Sequence, residues 1–309
     1  MFFTPRVVLA GCGGIARAHL KAIPAASIAA LCDQNLDAAR ALRDEFGLHA
    51  PVFKSLEEAL EREQPDVVLV CTPPATHFDL VRLALESGAS VLCEKPLATR
   101  ASDAQVLVEL ARAQNKMLRT SAKYRFCEGV AAAKSLLDSG EAGLLQTVRV
   151  AFGAPFEFEN SWHANTLVSG GGVWMDNGPH ALDLARFFAG ELRFTSLEEW
   201  QTEGALETQT RVCLRSAGGA GVQIALSWKR FRGENFAVLN CERGTARIGW
   251  GETLWQPHGA SERILAGGYD KSACFAAQWN GFLNGDTRFE GADGARVVEL
   301  VEAVYTCAR

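Results

Sequence analysis

The sequence predicts an α/β protein in which an N-terminal, doubly wound parallel sheet precedes an α+β domain with a large, open, mostly antiparallel sheet. Over residues 1–120, short continuous apolar runs alternate with helical segments, which indicates strands covered by helices on both faces. From residue 121 onward the strand-like runs become longer, alternating and rich in aromatic residues. This change favours a second sheet with one packed face, and we assign domains to residues 1–120 and 121–309.

The first domain shows six predicted strands and five predicted helices. The strands are expected at residues 6–10, 27–33, 51–54, 66–71, 90–93 and 116–120. The helices are expected at residues 15–23, 36–46, 56–63, 76–87 and 102–114. Right-handed crossovers between successive strands then build a parallel sheet with helices on both sides.

The second domain begins with a predicted helix at 129–138 and ends with an amphipathic helix at 293–306. Its strands are expected at residues 146–152, 206–215, 222–231, 236–241 and 246–250. A Gly-rich stretch at 169–177 precedes a helix that continues through Phe188.

Composition limits the partners and the compartment. The chain has 31 Lys and Arg against 36 Asp and Glu, so no overall basic field exists and we expect no nucleic-acid partner. No apolar stretch approaches the ~18 residues of a membrane span, so we expect no membrane partner. The nine cysteines include no CxxC pair, which predicts reduced thiols in a cytoplasmic protein rather than a zinc or redox site.

The loop after the first strand has the spacing of a dinucleotide-binding motif. Residues 11–16 (Gly-Cys-Gly-Gly-Ile-Ala) match G-x-G-x-x-A between a strand and a helix. Gly11 permits the tight turn, and Gly13 lets the backbone approach a pyrophosphate. The helix start at Gly14 and Ile15 offers N–H groups and a partial positive charge to phosphates.

Asp33 indicates which nicotinamide cofactor binds. It ends the second strand 22 residues after Gly11, where a carboxylate accepts hydrogen bonds from the adenosine ribose hydroxyls. The 2′-phosphate of NADP would face this carboxylate without a compensating cation. The sequence therefore favours NAD over NADP, unless Arg40 or Arg43 folds back.

Three further segments resemble the Gfo/Idh/MocA oxidoreductase family. They are residues 70–77 (VCTPPATH), 91–96 (VLCEKP) and 170–183 (GGGVWMDNGPHALD), and the likeness covers essentially the whole chain. The resemblance implies an N-terminal Rossmann domain and a C-terminal domain whose open sheet forms homodimer or homotetramer contacts. It also implies nicotinamide-dependent oxidation or reduction of a sugar, cyclitol or related polyol.

The resemblance maps the catalytic residues onto Lys95, Asp176 and His180. Lys95 ends a buried strand, where a cation can hydrogen-bond the reacting oxygen and stabilise a developing alkoxide. His180 can take or return the hydroxyl proton, and the choice between Lys95 and His180 as immediate proton acceptor stays open. Asp176, His180 and Asp183 are spaced i, i+4, i+7 and share a helix face, and Asp183 is assigned a structural role. No metal is expected there, because no further His or Cys is nearby.

Pro179 leaves the start of this helix open. If the helix begins near Gly178, the proline lies favourably in its first turn. If it begins at Gly172, Pro179 lies inside and kinks it. In either case Asp176 could fail to share the face of His180.

The remaining residues of the matched segments are expected to border the cofactor or the substrate. The cofactor group, besides the glycine loop and Asp33, is Thr72, Pro73, His77, Glu94 and Lys95. For His77 a plain role in the first helical turn is the alternative, and His19 is expected to pack or cap. The substrate group, in which aromatic faces suit sugar rings and polar groups suit hydroxyls, is Tyr124, Arg125, Trp162, His163 and Asn177.

Two other functions fit the same motifs. One is a family member that keeps NAD(P) tightly bound as a redox relay. The other is a non-catalytic sensor of a sugar or dinucleotide, against which the intact Lys95, Asp176 and His180 set argues.

Overall fold

A computed structural model describes residues 4–231 and 233–308, which form two compact units. The first unit contains the chain up to Ser121 together with Lys271–Ala295. The second contains Ala122–Asp270 and the chain from Arg296 onward. The return of the chain to the first unit is a feature that the sequence patterns do not indicate.

Six parallel strands form the sheet of the first unit, in the order β3-β2-β1-β4-β5-β6. The strands are β1 Val7–Ala10, β2 Ile28–Cys32, β3 Val52–Phe53, β4 Val67–Val70, β5 Ser90–Cys93 and β6 Leu118–Thr120. The helices between them are α1 Gly14–Leu20, α2 Leu36–Glu45, α3 Leu56–Glu63, α4 His77–Glu86 and α5 Ala101–Ala113. All residues of β1 and β4 are buried, which confirms a doubly wound sheet covered on both faces.

The returning segment covers the edge strand β6. It contains helix α9, Lys271–Leu283, whose buried Gln278 donates its side-chain N–H to Ser121 Oγ at 3.2 Å. Arg119 donates to the carbonyl of Asp286 at 3.1 Å, and an antiparallel bridge joins Arg119 to Glu290. These contacts protect a strand edge that would otherwise present unpaired backbone groups.

Eight strands form the sheet of the second unit, in the order β14-β13-β12-β11-β7-β10-β9-β8. They are β7 Leu145–Gly153, β8 Leu192–Glu203, β9 Leu206–Ser216, β10 Gly221–Ser227, β11 Asn235–Cys241, β12 Gly244–Gly249, β13 Glu252–Pro257 and β14 Arg263–Gly267. Among the strand pairs in the described part of this sheet, β7–β10 is parallel and the others are antiparallel, which confirms the predicted, mostly antiparallel sheet. The helices are α6 Glu128–Asp138, α7 Thr166–Ser169, α8 Val173–Ala189 and α10 Gly291–Ala308, which begins in the first unit.

Several elements differ from the sequence expectation. The patterns indicate neither the strands β8, β13 and β14 nor the helices α7 and α9. The strand expected at 222–231 ends at Ser227, because the Ser227 hydroxyl accepts the N–H groups of Lys229 at 3.0 Å and Arg230 at 3.2 Å. Such a local side-chain bond competes with the strand ladder and turns the chain. Within the described ranges, no helix is long and apolar enough to cross a membrane.

All nine cysteines are free, and seven of them are buried. Burial raises the pKa of Cys12 and Cys32 to about 12 and the pKa of Cys241 to about 11. These thiols therefore stay protonated at neutral pH and act as small apolar side chains.

This arrangement predicts the reactivity of the thiols. With a disulfide reagent at pH 8, we expect the exposed Cys307 to react first and the half-buried Cys213 more slowly. The other seven should react only after unfolding, because reaction requires an accessible thiolate. Absorbance of the released thiol measures both phases, and rapid native-state reaction of most cysteines would contradict the buried placement.

Candidate active site

The glycine loop turns sharply between β1 and α1. Gly11 has a φ of +94°, and a Cβ added there would lie 2.7 Å from the backbone of Cys71. Its N–H donates to the Cys32 carbonyl at 2.8 Å. Both the left-handed conformation and the close approach require glycine at this position.

The rim of this loop is formed by Gly13 and Gly14, which are exposed. Apart from the loop's own adjoining backbone, nothing lies within 4 Å of a Cβ built at either residue. α1 begins at Gly14, and Gly13 as its N-cap offers no side-chain acceptor to the first N–H groups. The half-buried Ile15 follows in the first turn. Open space over unbonded helix N–H groups fits a dinucleotide pyrophosphate.

Asp33 ties the glycine loop to the end of β2. Its Oδ2 accepts the Cys12 N–H at 2.8 Å, and its Oδ1 accepts the Asn35 N–H at 2.8 Å. Each carboxylate oxygen can accept more than one hydrogen bond, and Asp33 is only half-buried. The carboxylate can therefore still accept bonds from ribose hydroxyls.

The two arginines that could serve a 2′-phosphate have partners of their own. Arg40 pairs with Asp37 at 3.0 Å, and Arg43 pairs with Asp44 at 2.8 Å. Within the described part of the chain, neither forms an ion pair with Asp33. Exposed ion pairs of this kind add little to stability. They matter here because they hold both guanidinium groups at other carboxylates.

Side chains of Thr76 and His77 contact the loop after β4. Thr72 and Pro73 are half-buried, and the Thr76 hydroxyl lies 2.7 Å from Thr72 Oγ1 and 2.8 Å from the Pro73 carbonyl. His77 has no exposed surface. Its Nδ1 lies 2.6 Å from the Pro96 carbonyl and its Nε2 lies 2.8 Å from the Thr72 carbonyl. The His77 ring is therefore buried, and both of its nitrogens face backbone carbonyls of the neighbouring loops.

Lys95 follows β5 and is half-buried. Glu94, directly before it, is 5% exposed, and its Oε1 lies 2.7 Å from Nε2 of His19 on α1. The expected packing role of His19 therefore includes a buried hydrogen bond. Lys95 stands at the carboxyl end of a parallel strand, where ligands bind in open α/β sheets.

In the second unit, α8 carries Asp176, His180 and Asp183 on one face. The helix begins at Val173, so Pro179 lies inside it and the spacing i, i+4, i+7 falls within one continuous helix. Proline has no N–H, so the helix lacks the bond from residue 179 to the carbonyl of residue 175. Asp176 is half-buried, and His180 is 9% exposed.

Arg125 and Tyr124 pack directly against this face. Arg125 forms a two-pronged ion pair with Asp183, with Nε–Oδ2 at 3.0 Å and Nη2–Oδ1 at 2.6 Å. The Tyr124 ring meets the His180 ring edge-on, with centroids 5.3 Å apart. Asp183 therefore fixes the short 3₁₀ turn Lys123–Phe126, called the 123–126 turn, against α8, in agreement with its assigned structural role. Within residues 4–231 and 233–308, no group of three or more His, Cys, Asp or Glu side chains is arranged for a metal ion.

Aromatic rings extend from Tyr124 across the sheet. They form one cluster of Tyr124, Phe152, Phe236, Trp250 and Tyr269. Two tryptophans are partly exposed, Trp250 at 40% and Trp162 at 42%. The core contains the buried Trp174, Trp228, Trp255 and Trp279. Trp162 stacks on His163 with ring centroids 3.7 Å apart, and Asn177 is half-buried on α8.

Sequence reasoning missed Glu207, which anchors the start of α8. This glutamate of β9 is 2% exposed, and its Oε1 accepts the N–H groups of Gly172 at 2.8 Å and Trp174 at 3.1 Å. The Tyr305 hydroxyl donates to the same oxygen at 2.6 Å. A Cβ at Gly172 would lie 2.2 Å from the Glu207 carbonyl oxygen, which explains the glycine there. No local pattern reveals this bond, because it joins residues 35 positions apart.

Two family models match the chain. Residues 5–121 match an oxidoreductase family with an NAD-binding Rossmann fold, and residues 130–247 match the GFO/IDH/MocA C-terminal domain. The chain belongs to the Gfo/Idh/MocA oxidoreductase family. The resemblance noted in the sequence is thereby confirmed, and the protein is a nicotinamide-nucleotide-dependent dehydrogenase or reductase.

Relatives and solved structures agree with this family membership. D-apiose dehydrogenase of Paraburkholderia graminis is 24% identical, over 97% of this chain and 87% of that protein. Myo-inositol 2-dehydrogenase of Thermotoga maritima is 26% identical, over 84% of this chain and 75% of that protein. A crystal structure of an Agrobacterium radiobacter oxidoreductase with NAD+, L-tartaric acid and magnesium has the same fold. Its TM-score is 0.85 at 22% identity, covering 99% of this chain and 96% of that one.

The contacts of Glu207 predict a contrast between two substitutions. Glu207→Ala leaves two helix N–H groups and the Tyr305 hydroxyl without their acceptor, so we expect a loss of about 1–3 kcal/mol of unfolding free energy. Glu207→Gln keeps an acceptor oxygen and should lose far less. Urea denaturation monitored by circular dichroism gives both values.

The difference in unfolding free energy between wild type and Glu207→Gln should depend on pH. Burial raises the pKa of Glu207 above its usual range, so the folded protein binds this proton more tightly than the unfolded chain does. The stability of wild type relative to Glu207→Gln should be greatest below the ordinary glutamate pKa. It should fall as pH rises through the raised pKa. A difference that grows in favour of wild type with rising pH would contradict this sign.

Proposed function

We propose that this oxidoreductase transfers hydride between NAD(H) and a secondary alcohol or ketone of a sugar, cyclitol or related polyol. The observation that carries the proposal is that each unit contains part of the set of residues that a dehydrogenase needs. The first unit contains the glycine loop, Asp33 and Lys95, and the second contains the α8 face with Asp176 and His180. The named activities of the relatives, on D-apiose and myo-inositol, support the substrate class.

Residues of the first unit would hold the cofactor. The N–H groups at Gly13, Gly14 and Ile15 would bind the pyrophosphate, and Asp33 would accept bonds from the adenosine ribose. The loops that contain Thr72, Pro73 and Glu94, with His77 beneath them, would border the remainder of the dinucleotide. The pairing of Arg40 and Arg43 with other carboxylates supports NAD over NADP.

Lys95 and His180 would divide the charge and proton chemistry. When bound, the nicotinamide accepts hydride from the alcohol carbon or returns it to the ketone carbon. The Lys95 ammonium would donate a hydrogen bond to the reacting oxygen and stabilise its negative charge. His180 would take or return the hydroxyl proton, because an imidazole changes charge near neutral pH. Asp176, one turn earlier on the same face, would orient the imidazole or bind a neighbouring hydroxyl.

Aromatic and polar side chains of the second unit support a polyol substrate. The exposed parts of Trp162 and Trp250 offer flat apolar surfaces for sugar rings. Of the predicted substrate group, Tyr124, His163 and Asn177 would supply hydrogen-bonding groups for hydroxyls. Because Arg125 already pairs with Asp183, its role in this proposal is to hold Tyr124 and α8 together.

We extend the proposal to a cytoplasmic homo-oligomer, a dimer or tetramer. Nine free cysteines favour a reducing compartment. One face of the second sheet carries Arg149, Gln223, Val238 and Leu254, which stay half-buried or exposed in the isolated chain. A mixed polar and apolar sheet face of this kind suits contact with a second copy.

Cofactor preference tests the role of Asp33. We expect wild-type protein to bind NADH more tightly than NADPH in a fluorescence titration. Asp33→Asn should narrow that ratio about tenfold or more, because it removes the charge that opposes a 2′-phosphate and weakens a charge-assisted bond. Asp79→Asn, an exposed carboxylate on α4, is the matched control. Tighter NADPH binding by the wild type would refute the assignment.

Turnover tests the catalytic set. With a panel of sugars and cyclitols, we expect Lys95→Ala and His180→Ala to lower kcat on the order of 10²–10⁴-fold while NADH binding is retained. Lys54→Ala and His49→Ala change exposed residues of the same types and should leave turnover intact. Normal turnover in both active-site variants would show that the proposed chemistry is wrong.

A further inference from the structure

Two buried histidines flank the segment that carries Lys95, and the chemistry above uses neither. His19 on α1 is 2% exposed, and His77 at the start of α4 has no exposed surface. We propose that His19 and His77 are positioning residues that hold residues 94–96 and thereby fix the place of the Lys95 ammonium group. This inference rests on the proposed role of Lys95 and adds two residues that act through it.

His19 fixes the residue before Lys95. Its Nε2 lies 2.7 Å from Glu94 Oε1, with side-chain exposures of only 2% and 6%. With Glu94 ionised, the carboxylate can only accept, so Nε2 donates. Glu94 Oε2 accepts the Lys95 N–H at 3.3 Å, so one carboxylate links His19 to the lysine backbone. The His19 ring also meets Phe275 edge-on at 4.6 Å, which limits its rotation.

His77 fixes the residue after Lys95. Its Nδ1 lies 2.6 Å from the Pro96 carbonyl, and its Nε2 lies 2.8 Å from the Thr72 carbonyl. A single ring therefore joins the loop after β4 to the segment after β5. A neutral imidazole has one N–H and can donate to one of these carbonyls, whereas the imidazolium donates to both.

The charge on His77 is set by opposing influences. Burial lowers its pKa, and the charge on Lys95 acts in the same direction, while the two carbonyls and Glu94 favour the charged ring. The net direction is downward, so the ring is neutral at pH 7 and donates one bond. In this proposal the single N–H lies on Nδ1 and binds the Pro96 carbonyl, the shorter of the two contacts, so that the start of α4 is held to the segment after β5.

These anchors matter because the ladder between β4 and β5 ends just before the lysine. The paired register stops at Val70 and Cys93, and the next bond runs from the Glu94 N–H to the Val70 carbonyl at 2.9 Å. Beyond that point the two histidines hold the chain: His19 contacts the Glu94 side chain, and His77 contacts the Pro96 carbonyl. The long lysine side chain then starts from a defined position.

Matched substitutions separate the two anchors. His77→Asn keeps an amide donor near Nδ1, facing Pro96, whereas His77→Gln keeps one near Nε2, facing Thr72. His19→Gln keeps a donor for Glu94, whereas His19→Leu removes it. The control is His49→Gln, at an exposed histidine of the same unit.

The first readout needs neither substrate nor cofactor. The acylation rate of the Lys95 amine by acetic anhydride is measured by peptide mass spectrometry and normalised to the exposed Lys54. We expect His77→Gln and His19→Leu to change this rate about threefold or more, because a displaced amine meets the reagent with a different exposure. His77→Asn, His19→Gln and His49→Gln should stay near the wild-type rate.

The second readout is steady-state kinetics with a polyol substrate. We expect His77→Gln and His19→Leu to lower kcat on the order of 10²-fold, because a displacement near 1 Å at a reacting group has that effect. KM for the polyol should change little, and any change in the NADH dissociation constant should be much smaller than the fall in kcat. A purely structural role would instead lower the amount of folded enzyme and leave kcat per folded molecule intact.

The outcomes separate this inference from the proposed function. Wild-type acylation of Lys95 and wild-type kcat in both His77→Gln and His19→Leu would overturn it. Should His19→Leu fail to fold, equal acylation rates in wild type and His77→Gln would overturn it. Altered acylation in a protein that turns over no polyol would leave the inference standing and refute the proposed function.

Discussion

The parallel register of the first sheet is the constraint on which the candidate site depends. Ala10 pairs with Cys32 and with Val70, and Val70 pairs with Cys93. The chain therefore leaves four neighbouring strands at one edge of the sheet, just before Gly11, Asp33, Thr72 and Lys95. Hydrogen bonds between these loops then fix them relative to one another, from Cys12 to Asp33 and through His77. Loops that would move singly become one rigid binding surface.

The second unit uses buried charge to orient its functional helix rather than to gain stability. The Arg125–Asp183 pair is almost fully buried, with side-chain exposures of 6% and 14%. Desolvation of two charges offsets most of their attraction, so such a pair adds little net stability, although loss of one partner is costly. Its geometry nevertheless permits one arrangement of the 123–126 turn on α8. Together with the Glu207 cap, it sets both the start and the middle of the helix that carries His180.

Local sequence could predict the first sheet and the motif residues but not the bonds between them. The strands of the first unit are continuous apolar runs bounded by loops, which one pattern detects. The sequence pattern did not predict β8, because three register shifts disturb the regular alternation of its apolar residues. These residues are Leu192, Phe194, Leu197 and Trp200. The helix α9 was also not predicted, because it contains Asn280–Gly281, a pair that is typical of turns. Glu207, Trp250 and the histidine anchors depend on contacts between distant parts of the chain, which spacing alone does not encode.

The division of the residues between the two units bears on how substrate preference arises. Every residue proposed to hold the dinucleotide belongs to the first unit, and every residue proposed to contact the polyol, apart from Lys95, belongs to the second. Under the proposed function, substitutions at Trp162, Asn177 or Trp250 would change which hydroxyls and ring faces are recognised and would leave the glycine loop and Asp33 in place. In this proposal cofactor binding depends on residues of the first unit, so the surface around α8 can differ between substrates while the glycine loop stays the same.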